Sequence, residues 1–126
     1  MSYDHRRLMV EQVTTATPAE RLLMVYDRLV LDIAGAREAK VAGDHETANT
    51  CLLSAQAILV MLATTMDHSW DGAERLDALY RYCWEGLVKA NVENDIERLD
   101  EVAGIVGKLH EAWQVAAMDG APTPVG

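Results

Sequence analysis

Apolar residues recur at intervals of three and four along the chain between Pro18 and Met118. This spacing is typical of helices that bury one face, and no stretch shows the sustained alternation of apolar and polar residues that marks a strand. The three prolines, at positions 18, 122 and 124, lie at the two ends of this region, so none interrupts a helix. The pattern therefore predicts an all-α fold.

Four helices are predicted from this periodicity and its breaks. The first runs from Pro18 to about Gly43 and the second from Asp44 to about Met66; the third lies between a loop at residues 67–72 and a break at residues 91–94, and the fourth starts near Asp95. The residues expected in the core are Leu22, Tyr26, Leu29, Ile33 and Ala36 in the first helix, Ala48, Leu52, Ala55, Leu59, Leu62 and Met66 in the second, Leu76, Leu79, Tyr80, Cys83, Leu87 and Ala90 in the third, and Leu99, Val102, Val106, Leu109 and Trp113 in the fourth. Because the connections are short, the prediction is an antiparallel up-down-up-down four-helix bundle.

The length of 126 residues and the mass of 13.9 kDa suit one domain. The bundle domain is assigned to residues 1–118, and residues 3–12 are expected to add a short N-terminal helical segment. Residues 119–126 are rich in Gly and Pro and carry no apolar periodicity. They are therefore predicted to form a disordered tail.

The second predicted helix is more apolar than a bundle helix requires. It has no charged residue from Thr47 to Met66, and a second apolar stripe runs beside its core stripe. A helix with one buried face normally carries charges on the opposite face, so the second stripe indicates a surface that another chain covers. The predicted partner-binding residues are Leu53, Ala57, Val60 and Thr64, with Met61 further round the helix.

Three further arrangements of this helix would also account for the stripe. The helix could be buried on two sides by its own chain, or it could pack against a second copy in a structural homodimer or larger homo-oligomer. A membrane span needs about 20 mainly apolar residues, and the segment is long enough for one. Membrane insertion is disfavoured by six polar residues in the segment, Asn49, Thr50, Ser54, Gln56, Thr64 and Thr65.

Charge and cysteine content narrow the function classes. The chain has 11 Lys and Arg against 20 Asp and Glu, a formal net charge of −9, which disfavours binding to nucleic acid or to anionic lipid. Cys51 and Cys83 fall within apolar helical patterns and are expected to be inert core thiols. Because the N-terminus has no apolar signal-peptide core, the protein is expected to be cytoplasmic.

The sequence contains no pattern that predicts catalysis, a metal site or a cofactor. No Glu is followed three residues later by His, as di-iron bundles require, and no phosphate-binding loop or nucleophile elbow is present. The protein is therefore not expected to be an enzyme. The main alternative is a histidine phosphotransfer bundle centred on His68, but Asp71 stands where that motif carries a Lys, and its carboxylate would repel the phosphate.

Several blocks of the sequence match one protein family in the same order. Residues 12–27 read QVTTATPAERLLMVYD, residues 76–82 read LDALYRY, residues 90–95 read ANVEND and residues 99–102 read LDEV. Together these blocks resemble the flagellar secretion chaperone FliS over roughly residues 8–117. Thr17 stands in place of the usual Ser, and Val25 in place of Leu.

The resemblance implies a four-helix bundle that binds the disordered C-terminal segment of flagellin in the cytoplasm. Such a chaperone keeps flagellin from polymerising early and helps to transfer it to the flagellar export apparatus. The resemblance also implies that the N-terminal segment can cover part of the binding surface, with Leu8 and Met9 as the candidate lid residues. A tyrosine often found in that segment of the family falls here on Leu8, and Tyr3 lies out of register.

Overall fold

The computed structural model describes residues 16–125. Within this range the chain forms four α-helices and no strand. They are α1 (Pro18–Ala42), α2 (His45–Thr65), α3 (Ala73–Glu93) and α4 (Ile96–Asp119). The prediction of an all-α fold is confirmed, whereas the helical segment predicted at residues 3–12 lies outside the described residues.

Side chains that accept backbone hydrogen bonds begin three of the four helices. The Thr17 hydroxyl accepts a bond of 3.1 Å from the N–H of Glu20 at the start of α1. The carboxylates of Asp44 and Asp95 accept bonds of 3.1 and 3.0 Å from the third residue beyond them. Each bond satisfies one of the backbone donors that a helix N-terminus leaves without an intrahelical partner. These caps fix where α1, α2 and α4 begin.

Helix α3 is longer than the sequence predicts. Instead of breaking over residues 91–94, it continues to Glu93, and the chain turns at Asn94, which has a φ of 56°. Asn adopts this left-handed conformation more readily than most residues. The Lys40 ammonium of α1 also donates a hydrogen bond of 2.9 Å to the Asn94 side chain. A single residue therefore makes most of the turn into α4.

The four helices form a closed arrangement in which α1 and α3 each pack against both α2 and α4. The contacts between α1 and α2 run in opposite directions along the two helices. Asp32 is bonded to Ser54, whereas Gly35, further along α1, lies against Cys51, which comes earlier in α2. Helices α1 and α2 are therefore antiparallel, as the short connection between them predicts.

The core is built from the predicted stripes. All the predicted residues of α1 and α2 are buried, as are those of α4 except Leu109, which is half-buried. In α3, Leu79 is 37% exposed, so its assignment to the core is wrong. Leu76 could be followed on the same face by either Leu79 or Tyr80, and the bundle buries Tyr80, which turns Leu79 about 100° away.

Residues 119–125 are ordered in the structure, in contrast to the disordered tail predicted at residues 119–126. Gly120, with a φ of 67°, ends α4 and turns the chain back towards the bundle. Pro124 is buried, and its carbonyl oxygen accepts a hydrogen bond of 2.8 Å from the N–H of Asp67 in the loop between α2 and α3. Val125 packs against the core. Residues 120–125 are held in place by these contacts with the core and with the loop between α2 and α3.

Candidate partner-binding surface

The outer face of α2 carries the five residues predicted to bind a partner, and all five are exposed. Leu53, Val60 and Met61 expose 51%, 52% and 41% of their surface, while Leu52 and Leu59 on the opposite face are buried. Residues 16–125 therefore leave the second stripe uncovered. An apolar face that its own chain does not cover is available to a partner.

The threonines at the end of α2 add little polarity to this face. The Thr64 hydroxyl donates to the carbonyl oxygen of Val60, and the Thr65 hydroxyl donates to that of Met61 at 2.7 Å. Each hydroxyl is thereby satisfied within the helix. Covering these residues with an apolar partner would leave neither hydroxyl without a hydrogen bond.

A groove of about 380 Å³ runs between α2 and α3. It is lined by Leu59, Val60, Ala63, Thr64, His68, Asp77, Tyr80, Arg81 and Trp84. The side chain of Trp84 is partly exposed and provides a large apolar wall. Asp77 and Arg81 supply one negative and one positive charge, so this groove carries both signs.

A second groove, of about 350 Å³, runs between α1 and α2 on the other flank of α2. It is lined by Arg21, Met24, Val25, Arg28, Ile58 and Met61. Two of these residues are methionines, whose unbranched side chains adapt to partners of different shape. The groove is thus an apolar channel with arginines as its only charged lining residues among those described.

We use the term α2 surface for the five predicted residues together with these two grooves. Val60 and Thr64 line the groove beside α3, and Met61 lines the groove beside α1. Leu53 and Ala57 line neither groove and lie on the exposed face of α2. The sequence prediction therefore identified the central helix of this surface but little of its two flanking walls.

Sequence reasoning missed groove residues on the neighbouring helices, among them Trp84 and Val25. Each is adjacent in sequence to a buried tyrosine or cysteine: Trp84 follows Cys83, and Val25 precedes Tyr26. One residue along a helix is a rotation of about 100°, which places such a side chain at the edge of a helix interface. A large apolar residue immediately beside a core position was the signal that could have identified them.

His68, Cys83 and Cys51 lie in different surroundings. His68 lies exposed in the loop between α2 and α3, outside any helix. Burial raises the pKa of the Cys83 thiol to about 11, which disfavours the nucleophilic thiolate. Cys51 is half-buried against Gly35. Between residues 16 and 125, no three His, Cys, Asp or Glu side chains come together as a metal site would require.

In the described part of the chain, α2 is the one helix long and apolar enough to cross a membrane by length and composition, with a mean hydropathy of 1.4. Core helices of bundles meet the same criteria. Leu52, Leu59 and Leu62 of α2 are buried between its neighbours, which accounts for part of its apolar character. The α2 surface accounts for the rest.

The chain is similar to flagellar proteins from several bacteria. The family model described as flagellar protein FliS matches residues 2–120. The flagellar secretion chaperone FliS of Bacillus subtilis is 36% identical over 104 residues, which cover 82% of this chain and 78% of that relative. The chaperones of the same name from Salmonella typhimurium and Campylobacter jejuni are each 30% identical over 105 residues, covering 81% and 82% of this chain and 78% and 82% of theirs. The chain therefore belongs to the FliS family of flagellar secretion chaperones, which is a class of chaperones and not of enzymes.

Proposed function

We propose that this protein is a cytoplasmic export chaperone that binds the disordered C-terminal segment of flagellin on the α2 surface. The observation that carries the proposal is the outer face of α2, which is free of charge over 47–66 and keeps its apolar residues exposed. Exposed apolar surface of this kind commonly marks a binding site for another protein. Membership of a flagellar chaperone family supports flagellin as that protein.

The two grooves suit a segment that wraps around α2. A helix laid in either groove would bury its apolar face against side chains from two bundle helices. Because the grooves flank the same helix, one continuous segment can fill both by crossing the exposed face of α2. A segment that is disordered when free can follow such a path, since it folds only as it binds.

Reversible binding explains the chaperone action without a catalytic step. A flagellin molecule whose C-terminal segment is held on the bundle cannot use that segment to pack against other flagellin molecules. Premature polymerisation is thereby prevented until the complex reaches the flagellar export apparatus. Release at that point depends on the affinity of the α2 surface, and neither step needs a metal or a cofactor.

We further propose that residues 1–12, which include Leu8 and Met9, form a displaceable lid over part of the α2 surface. A lid that must leave before the partner docks lowers the apparent affinity by the fraction of time that the surface is open. Deleting residues 1–12 is therefore expected to raise the affinity or the association rate. Unchanged binding by the shortened chain, together with unchanged amide exchange in this segment when flagellin binds, would contradict the lid.

Isothermal titration calorimetry with the C-terminal segment of flagellin tests the main proposal. We expect saturable binding with a negative heat-capacity change, because apolar surface is buried. Flagellin that lacks this segment is the control and should not bind. In parallel, the chain should slow the growth of filaments from seeded flagellin monomers. Absence of binding at concentrations up to about 50 µM, which corresponds to roughly −6 kcal/mol, would refute the assignment.

A further inference from the structure

The groove between α1 and α2 combines an apolar floor with a positively charged rim. The floor is formed by Met24, Val25, Ile58 and Met61. Arg21 and Arg28 line the same groove, and both residues are exposed. They are seven residues apart on α1, so they lie on the same side of the helix, about 10 Å from each other along its axis.

Arg28 is held in place by a buried carboxylate. Its Nε lies 3.2 Å from Oδ1 of Asp32, one turn further along α1, while the Arg28 side chain is still 67% exposed. The other oxygen of Asp32 accepts a hydrogen bond from the Ser54 hydroxyl of α2. Because a guanidinium has five N–H donors, contact through Nε leaves its terminal nitrogens able to bind a second carboxylate. Arg28 is thus positioned by the bundle and remains available to a partner.

Arg21 is also anchored, but by a neutral group. Its Nη1 donates a hydrogen bond to the carbonyl oxygen of Ala16, which leaves the positive charge of the guanidinium uncompensated by that contact. Among residues 16–125, those that line this groove include no carboxylate. Because Asp32 already pairs with Arg28, the excess positive charge of this groove comes from Arg21, in a chain with a net charge of −9. The groove on the other flank of α2 contains both Asp77 and Arg81.

We propose that the α1–α2 groove selects an acidic amphipathic helix within the flagellin segment, and that Arg21 and Arg28 pair with carboxylates beside the apolar stripe of that helix. This proposal rests on flagellin binding and adds which partner chemistry enters which groove. Carboxylates about seven residues apart on the partner helix match the spacing of the two arginines. Arg–carboxylate pairs are directional, so they fix the orientation and register of the helix as well as its affinity.

Charge reversal at Arg21, compared with the same reversal at Arg75, tests the proposal. Arg75 is exposed at the start of α3 and lines neither groove, so Arg75→Glu changes the net charge as much as Arg21→Glu does. We expect Arg21→Glu to bind the flagellin segment about tenfold more weakly than Arg75→Glu at low salt. The difference should shrink towards 1 M salt, because the Debye length falls to about 3 Å. Replacing the facing acidic residues of flagellin by Lys should restore binding to Arg21→Glu.

Three measurements can overturn this proposal or show that a variant is misfolded. Equal affinities of the two variants at every salt concentration would overturn this proposal and leave flagellin binding intact, whereas absence of binding by the unaltered chain would overturn both. Sedimentation of the chain alone tests whether a second copy occupies the groove instead. If the chain forms a dimer and Arg21→Glu dissociates it, the groove belongs to the second copy and the proposal is overturned. Melting temperatures of both variants, which should match that of the unaltered chain, report whether the bundle is folded.

Discussion

Tyr26 and Tyr80 meet at the centre of the bundle, where their hydroxyl oxygens lie 2.7 Å apart. Both side chains are buried. Burial raises the pKa of Tyr26 to about 12 and also raises the pKa of Tyr80, because an ionised phenolate is poorly solvated in an apolar core. Each hydroxyl has the other as a hydrogen-bond partner in the core, so loss of either one affects both.

Removing one hydroxyl of this pair should lower the free energy of unfolding by more than half of the loss caused by removing both. Tyr26→Phe leaves the Tyr80 hydroxyl buried without this partner, which we expect to lower the free energy of unfolding by about 1–3 kcal/mol. Tyr80→Phe should have a similar effect. The double variant removes both polar groups and should be more stable than the sum of the single losses predicts. Urea denaturation of all four chains measures this, and strictly additive losses would argue against the pairing.

The same pair predicts loss of stability in alkali. An unfolded Tyr has a pKa of about 10, and Tyr26 in the folded chain has a pKa of about 12. Between these values the unfolded chain gives up its proton more readily, so the free energy of unfolding falls as the pH rises. The Tyr26→Phe and Tyr80→Phe double variant should lose less stability over this interval. Urea midpoints measured from about pH 9 to pH 12 provide the comparison.

At the scale of a helix, the outer faces of α2 and α4 offer a matched pair of positions. Val60 of α2 and Val115 of α4 are similarly exposed, at 52% and 58%. Val60 lines the groove beside α3, whereas Val115 lines neither groove of the α2 surface. The same substitution at the two positions therefore separates binding from general effects of a new surface charge.

Val60→Asp is expected to weaken flagellin binding about tenfold or more, because the aspartate would lose its hydration in a closed apolar interface. Val115→Asp should leave the affinity unchanged. Leu53→Asp, on the exposed face of α2, should behave like Val60→Asp. All three variants should keep the helical circular dichroism spectrum and melt cooperatively. Unfolding of both α2 variants would mean that these residues belong to the core.

The glycine of α3 and the two glycines of α4 lie in different surroundings. A Cβ added at Gly86 of α3 would come within 2.7 Å of the Arg98 and Val102 side chains of α4, so this glycine permits the close approach of the two helices. A Cβ added at Gly104 or Gly107 of α4 would meet nothing within 4 Å among the described residues. Helix packing in the described bundle therefore explains Gly86 but not the two glycines of α4.

Substitution by alanine should change the free energy of unfolding in opposite directions at Gly86 and at the two glycines of α4. Gly104→Ala and Gly107→Ala are each expected to raise the free energy of unfolding by up to about 1 kcal/mol, since Ala has the higher helix propensity. Gly86→Ala should lower it, because Arg98 or Val102 must move to accommodate the methyl group. Thermal melts compare the three variants, and a loss of stability at Gly104 or Gly107 would indicate a contact beyond the described residues.

At the scale of the whole molecule, one end of the bundle is closed by contacts between distant parts of the chain. Trp70, in the loop between α2 and α3, packs edge-on against Trp113 of α4 with ring centroids 5.9 Å apart. Asp67 of the same loop donates its backbone N–H to Pro124 of the tail. The loop is therefore held by both α4 and the segment that follows it.

Deleting residues 121–126 should lower the free energy of unfolding by about 1–3 kcal/mol, because it removes this hydrogen bond and exposes apolar surface. Thr123→Val is the matched control. The Thr123 hydroxyl is buried and has no hydrogen-bond partner among the described residues, so an apolar replacement of similar shape should be neutral or stabilising. Equal urea midpoints for the full and the shortened chain would mean that the tail contributes nothing to the fold.

Features of this protein that depend on local order can be predicted from its sequence alone. Helix periodicity, together with its breaks, predicts the number of helices and nearly all of their core residues, because both signals act within a few residues of the chain. Short connections then leave an antiparallel bundle as the natural arrangement. The uncovered stripe of α2 was also predictable, since twenty residues without a charge are visible before any helix is packed.

Features that depend on neighbours distant in sequence follow only from the packing of the helices. The choice of Tyr80 over Leu79 for the core, the pairing of Tyr26 with Tyr80, and the order of the tail at Pro124 all arise from contacts across the bundle. Periodicity can place single wall residues such as Trp84 and Val25 at the edge of a helix interface. It cannot predict the two grooves, because their walls come from different helices. Periodicity predicts which face of a helix is buried, but only packing determines which helix lies beside that face.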